Sequence, residues 1–457
     1  MKIFDKRIPL YKLYPFCGMI LGLIFMLILP IRTVPDETFH LNQAYEVSNV
    51  LMGTPSGNNP IQMREDEVNN YNIPSHYTRE QYIAYWASLN DPLKSDVMTG
   101  SSSFKTGVSY PYFAGGLGIT LGRVLKLGAG ATLSLGRLFD LIVFVVCGTL
   151  TLWLMPFAQE LMFVLLLMPM TLQQSMSYSY DMFVFAVSFL SISLFLRINY
   201  DEKQQAKNKY IDLGILTVLD ILLIPIKSHA YIFLMFLPLY SLAHLFAGEK
   251  KEKIWKIFWI IVCALVLVFI IGWGVIATHS GIYPVHPADL GYTDEPGFSV
   301  SYVLHHPGRT IVVLLATLVQ SGENHFISNL IGCNLEDLTL VLPGSFKFIF
   351  LMIILLSAVA SPDSEIELRK RTRVTLFCIA AVTTLCIAVG MLVSWTPLTS
   401  PQVQGIQGRY YIPIIFMLLI LLNNRSVRIS DQLHHSVVPA VIIMDLLVPA
   451  YIFATAG

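Results

Sequence analysis

The chain has 457 residues, with 30 Lys and Arg set against 30 Asp and Glu, so its formal net charge is zero. Hydrophobic residues make up 54% and charged residues 13%, with a mean hydropathy of +0.62. That balance excludes an ordinary soluble globule, and without a basic stripe nothing points to a nucleic-acid partner. Repeated apolar runs match a hydrocarbon thickness of about 30 Å. The expected fold is all-α, a polytopic transmembrane helical bundle forming one integral membrane domain over residues 1–457.

In chain order, Lys2, Lys6, Arg7 and Lys12 precede an apolar run from Leu13 to Ile31. A signal peptide has similar charged and apolar regions, but this run is long and no small-x-small cleavage site follows. A retained first helix with a cytoplasmic N-terminus is the expectation. Further basic clusters lie at Arg197 to Lys209, Lys250 to Lys256, Arg369 to Arg373, and Arg425 with Arg428. The positive-inside rule assigns all of them to the cytoplasm. Spans are predicted near 13–32, 135–155, 161–175, 180–197, 211–226, 229–246, 255–277, 339–360, 374–394, 409–422 and 436–455. These are eleven crossings. Counting 110–127 and 310–319 as full spans gives thirteen; here they are read as helices lying in the outer interface or re-entering it. The large polar loops, 33–134 and 278–338, then share the outer face with the shorter 395–408. No outer loop carries an Asn-x-Ser/Thr sequon, which fits a bacterial plasma membrane.

Directly after the first span come Pro35-Asp36-Glu37 and His40. Thr33 can cap a helix with Pro35 and Asp36 in its first turn, and acids there simply complement the dipole. The alternative is that Asp36 or Glu37 faces a cavity at the membrane surface and acts as general base. His40, four residues on, shares a helical face with Asp36 and would orient it. Basic residues outside the cytoplasmic clusters are the complement: Lys227, Arg409, Arg137 and Arg309. Each can bind a phosphate, and each can equally snorkel to the interface.

Asp181 enters an apolar helix after the Ser177-Tyr178-Ser179-Tyr180 turn, either capping that helix or meeting a cation, acceptor or metal. Asp140, Asp220 and Asp445 also lie within spans and are expected to make interhelical hydrogen bonds. Tyr110, Tyr112, Tyr178, Tyr180, Tyr283, Tyr410 and Tyr411 form an outer aromatic belt, with sugar stacking on one or two as the alternative. Outer histidines, His76, His279, His286, His305, His306 and His325 among them, match no metal-ligand spacing. Five of the six cysteines lie within spans and read as packing residues, and Cys333 lies in an outer loop.

The acidic pair after the first span, Tyr110-Pro111-Tyr112 and the arginine opening the next span resemble the GT-C class of membrane glycosyltransferases. Pro35-Asp36-Glu37-x-x-His40, His306-Pro307 and Gln407-Gly408-Arg409-Tyr410-Tyr411 resemble, along nearly the whole chain, a bacterial family of polytopic proteins of unknown function. The GT-C resemblance implies a transferase that takes a sugar from a polyprenyl-phosphate-linked donor. The acceptor would be a cell-envelope glycan or lipid at the outer face of the cytoplasmic membrane. It implies Asp36 or Glu37 as base, and His40, Lys227, Arg409, Tyr410, Arg137, Asp181 and Arg309 around the substrates. No cofactor is required on this reading; a divalent cation, Mg or Mn, on Asp36 or Asp181 is the alternative. The rival functions are a lipid-linked glycan transporter or flippase and an O-antigen-type polymerase or ligase.

Overall fold

A computed structural model describes residues 8–69, 77–247, 251–262, 264, 268, 295–320, 326–336, 339–359, 366–423 and 430–456. The chain divides into two compact units: Met1–Leu190 with Ile331–Glu365 and Leu422–Gly457, and Ser191–Leu330 with Ile366–Leu421.

In the first unit, α1 (Leu10–Ile28) stops where Leu29 turns extended ahead of Pro30, which disfavours helix at the residue before it. After a turn, α2 (Glu37–Leu51) begins. Its sequence is polar, yet His40 and every residue from Leu41 to Asn49 are buried. The segment that follows makes that tolerable by wrapping the helix and pairing its polar groups. Asn42 donates to Ser103 Oγ at 2.9 Å, Gln43 to the Phe104 carbonyl at 2.9 Å, and Asn49 to the Gln62 carbonyl at 2.8 Å. Glu46 accepts from the Ser56 hydroxyl at 2.5 Å.

The expected loop is therefore an ordered layer. It contains β1 (Gln62–Arg64), α3 (Glu65–Asn69), α4 (Arg79–Ser88), β2 (Met98–Gly100) and α5 (Phe113–Val124). β1 and β2 pair antiparallel with Met63 opposite Thr99, so the fold is mostly rather than wholly helical. Leu41, Tyr45, Ile61, Met63, Tyr85, Ile119 and Leu133 form its core. A buried ion pair, Arg64 with Glu67, ties the hairpin to Thr132 of α6 (Ala129–Leu154), where Arg64 Nη2 donates at 2.9 Å.

α5 lies on α6 at backbone contact. A Cβ on Gly118 would sit 2.4 Å from the Leu135 carbonyl oxygen and 2.7 Å from the Gly136 Cα. Neither atom can swing aside. Gly118→Ala is expected to lower stability by about 1–3 kcal/mol through overpacking. Gly214→Ala, in open space on α10 (Ala206–Leu223), should be neutral or slightly stabilising. Thermal unfolding in detergent checks both, and equal midpoints would refute the close-packing argument.

The predicted span 161–175 is broken. Pro169 removes a helical N–H and collides with the preceding turn. The segment becomes α7 (Gln159–Leu167) and α8 (Pro169–Ser175), with every residue from Leu161 to Leu167 and from Pro169 to Ser175 buried. α7 packs against α1, α6, α16 (Gly344–Ala358) and α19 (Asp431–Thr455). α9 (Asp181–Tyr200) follows, and β3 (Asn334–Leu335) pairs with β4 (Leu340–Val341) before α16.

The second unit contains α10, α11 (Phe236–Ala247), a helical stretch α12 at 252–262, α13 (Val300–His305), α14 (Pro307–Gln320) and α15 (Phe326–Ile331). α17 (Lys370–Trp395) and α18 (Ile412–Leu419) complete it. By length and composition five described helices can cross a membrane: Leu10–Ile28, Ala129–Leu154, Asp181–Tyr200, Lys370–Trp395 and Gln432–Thr455. Ile232–Ala247, Pro307–Val319, Gly344–Ala358 and Gly408–Leu422 are apolar but shorter. The predicted 229–246 opens with 3₁₀ turns after Pro225, and 409–422 likewise opens with one at Gly408–Tyr411. Most of the predicted span 255–277, with Cys263, lies outside the described residues.

Candidate functional site

The site in the first unit is built on the turn between α1 and α2. Arg32 (φ 73°) and Asp36 (φ 60°) both hold left-handed backbone, a conformation that L residues other than glycine avoid. Such strain persists only where the surroundings impose it. Here Arg137 imposes it. Its Nη1 donates to the Leu29 carbonyl at 2.6 Å and Nη2 to the Pro30 carbonyl at 2.8 Å, fastening the end of α1 to α6.

The same guanidinium grips Glu37 bidentately, Nε to Oε1 at 2.8 Å and Nη2 to Oε2 at 2.5 Å. Backbone N–H groups of Arg32 (2.8 Å) and Tyr178 (3.3 Å) complete the carboxylate's shell. A carboxylate offers about four acceptor positions, and these four donors fill them. Both side chains are fully buried. Arg137 and Glu37 thus act as a staple: taking up a proton from a substrate would require Glu37 to break its ion pair. Thr33, expected to cap α2, instead donates its hydroxyl to the Pro30 carbonyl at 2.7 Å, and Asp36 occupies the cap position.

Asp36 is exposed and opens on a surface hollow of about 340 Å³, bordered by Arg32, Val34, the buried Glu37, Phe39, Ser102 and Ser103 among others. Behind it, His40 is buried, with Nδ1 2.9 Å from the Tyr112 hydroxyl and its ring edge-on to Tyr180 at 4.7 Å between centroids. Burial, then the charges of Asp181 and Asp36, push the Tyr112 phenol above its ordinary range. Both carboxylates therefore act on one hydroxyl. Asp181 opens α9, buried, with its N–H on Ser179 Oγ at 3.2 Å. His40, Tyr112 and Tyr180 are in contact, and Asp36 and Asp181 lie near enough for their charges to bear on the Tyr112 phenol. Arg32 had no distinguishing mark except its place beside the acidic pair.

The second unit holds the cationic group. Lys227 Nζ lies 3.8 Å from the Tyr410 ring centroid and Arg409 Cζ 5.5 Å from the same ring. Cations over a tyrosine face are attracted by its quadrupole. Tyr231 donates to the Tyr410 carbonyl at 2.9 Å, and the Arg409 N–H donates to Asn329 Oδ1 at 3.0 Å. The turn needs Gly408, where a Cβ would fall 2.2 Å from the Phe326 carbonyl oxygen. Lys227 (φ 48°) and His229 (φ 68°) are also left-handed. Arg309 does different work: exposed on α14, it donates to the Ser400 carbonyl at 3.0 Å.

Asp140, in α6, accepts from the Gly115 backbone of α5, the interhelical bond expected of it. Asp445 has no hydrogen-bond partner among the described residues. His305 and His306 donate Nδ1–H to the Ser301 and Tyr302 carbonyls of their own helical segment, at 2.7 and 3.2 Å. His76, His279, His286, His325 and Tyr283 lie outside the described residues. Among the described residues no three His, Cys, Asp or Glu side chains are grouped to hold a metal ion, so no chemical step is assigned to Mg or Mn.

Nothing among the curated proteins or the solved structures matches the chain. The family model of a predicted membrane protein (DUF2142) matches residues 19–418, and this multi-pass chain belongs to that family.

Proposed function

We propose that the protein is a GT-C-like membrane glycosyltransferase. It would move a sugar from a polyprenyl-phosphate-linked donor to a cell-envelope glycan or lipid acceptor, at the outer face of a bacterial cytoplasmic membrane. The observation that carries this reading is Asp36, a carboxylate held in strained backbone at the rim of an open hollow by the buried Glu37–Arg137 staple. Strain maintained by such a scaffold is the mark of a positioned group.

In the proposed reaction Asp36 accepts the proton of an acceptor hydroxyl. The hydroxyl oxygen bonds to the anomeric carbon as the bond to the lipid phosphate breaks, and the phosphate leaves with its electron pair. In the second unit, Lys227 and Arg409 set a flexible ammonium and a guanidinium fork around one ring, the chemistry that binds a phosphate. Glu37 and Arg137 are positioning residues, and His40 and Asp181 set the environment of Tyr112. One observation favours a lipid-linked glycan transporter instead, the helix break at Pro169, since transporters use interrupted helices.

The test is transfer of radiolabelled sugar into envelope glycan by membranes carrying each variant. Asp36→Asn is expected to lower transfer at least about a hundredfold with normal membrane abundance. Full transfer by Asp36→Asn would remove the base assignment. Unchanged chemistry with blocked delivery of lipid-linked sugar across vesicles would select the transporter.

A further inference from the structure

A second cavity, of about 270 Å³, lies within the first unit, lined by Tyr77, Thr78, Tyr82, Glu336, Tyr451 and Thr455 among others. Its floor is unusual. Glu336 occupies the loop between β3 and β4 and is 2% exposed, with left-handed backbone (φ 52°). Gln173 of α8 fixes that backbone from both sides, accepting the Glu336 N–H at 2.8 Å and donating to its carbonyl at 3.4 Å. Thr339 donates to Oε2 at 3.2 Å, whereas Oε1 has no hydrogen-bond partner among the described residues. A buried carboxylate oxygen without a donor costs on the order of 1–3 kcal/mol, more when charged. Such an acceptor, facing a cavity, is a place for a water, an ion or a ligand hydroxyl.

The wall is aromatic. Tyr77 and Tyr82 stand 5.0 Å apart between ring centroids, and Trp86 stacks on Phe453 at 5.5 Å behind them. Burial, and the nearby Glu336 carboxylate, hold both phenols protonated above their ordinary range. They therefore present O–H groups, not charge; Tyr82 is buried among Tyr77, Trp86 and Phe453, and Tyr77, only half-buried, is the ring with a face to offer. Thr78, Tyr451 and Thr455 add further hydroxyl-bearing side chains.

We propose that this cavity is a monosaccharide-binding subsite, one pyranose ring laid against the tyrosine wall with a hydroxyl donating to Glu336 Oε1. The chemistry matches on both surfaces of a sugar. Its C–H face suits the negative face of an aromatic ring, and its hydroxyls suit an unsatisfied carboxylate ringed by hydroxyl-bearing side chains. The volume, at the lower end of small-molecule pockets, suits one ring rather than a chain. A cation would also suit the carboxylate, but the several hydroxyls around a single acid favour a neutral polyol. The subsite stands whether or not Asp36 is a base, because binding is read without turnover.

The experiment uses the full chain in nanodiscs of phosphatidylethanolamine and phosphatidylglycerol, free of glycoside detergent. Saturation-transfer NMR is recorded with methyl glycosides of glucose, galactose, mannose, rhamnose and N-acetylglucosamine. At least one is expected to show transfer to its ring C–H protons. Its Kd should rise about tenfold or more in Glu336→Gln, the loss of a charge-assisted hydrogen bond. The signal should vanish in Tyr77→Ala and persist in Tyr77→Phe, which keeps the ring; Asp36→Asn should leave it unchanged. No transfer from any glycoside, or transfer indifferent to both Glu336→Gln and Tyr77→Ala, overturns the proposal. So does Glu336-dependent binding of tetramethylammonium in place of sugar, which would reassign the cavity to a cationic headgroup.

Discussion

Arg137→Gln is expected to destabilise the protein by about 3–5 kcal/mol, the cost of leaving one partner of a buried ion pair uncompensated. Glu37 would then sit in the interior with only two backbone donors, those of Arg32 and Tyr178. The Leu29 and Pro30 carbonyls would lose their donors as well. Glu37→Gln should cost a similar amount for the mirror reason. The double variant Glu37→Met with Arg137→Met should recover much of the loss, since apolar replacement of a whole buried pair is often close to neutral. With the single variants Glu37→Met and Arg137→Met added, unfolding of the wild type, these two and their double variant in detergent closes the cycle and gives its coupling energy. Single variants that each cost under about 1 kcal/mol would show that the pair is not the staple of the α1–α2 turn.

Glu336→Gln is expected to change how stability depends on pH. Burial pushes the Glu336 carboxyl from 4.5 up to about 7 in the folded protein, against the opposing hydrogen bond from Thr339. An acid whose folded value is raised favours the neutral form in the native state. Its contribution is complete below about 4.5 and is lost as pH rises through about 7. The full loss is about 3 kcal/mol. Glutamine never ionises, so the wild-type protein should lose stability relative to the variant as pH rises from 4.5 to 8. The reading is the difference between the two thermal midpoints, which cancels the other titrating groups. A difference that stays flat across that range would place the Glu336 carboxylate in water.

The long apolar helices were legible because composition alone marks them. α1, α6, α9, α17 and α19 fall on predicted spans, with ends shifted by a few residues. The segment at 161–175 was legible as apolar but not as two helices, since Pro169 acts through a backbone clash that hydropathy does not weigh. α2 was the least legible element. Its burial depends on Ser56, Ser103 and Phe104, which reach it through tertiary folding, so its polar residues show no helical stripe. The same limit applied to Asp36 and Glu37. Adjacent acids look alike in sequence, and Arg137, a hundred residues away, separates a stapled carboxylate from an exposed one. Lys227 and Arg409 stood out as charges beside apolar runs, though not the ring between them. Glu336 gave no signal, because an isolated acid in a loop is ordinary until its burial is seen.

The enclosed pair α7 and α8 bears on how the chain is made. A segment whose side chains meet only protein gains nothing by partitioning into lipid, and Gln173, Gln174 and Ser175 would be costly there. Two of the helices that shelter α7, α16 and α19, leave the ribosome long after it. The native cover of this stretch is therefore complete only once α19 has been made, and truncation before residue 431 is expected to leave α7 exposed and lower the amount of chain recovered from the membrane.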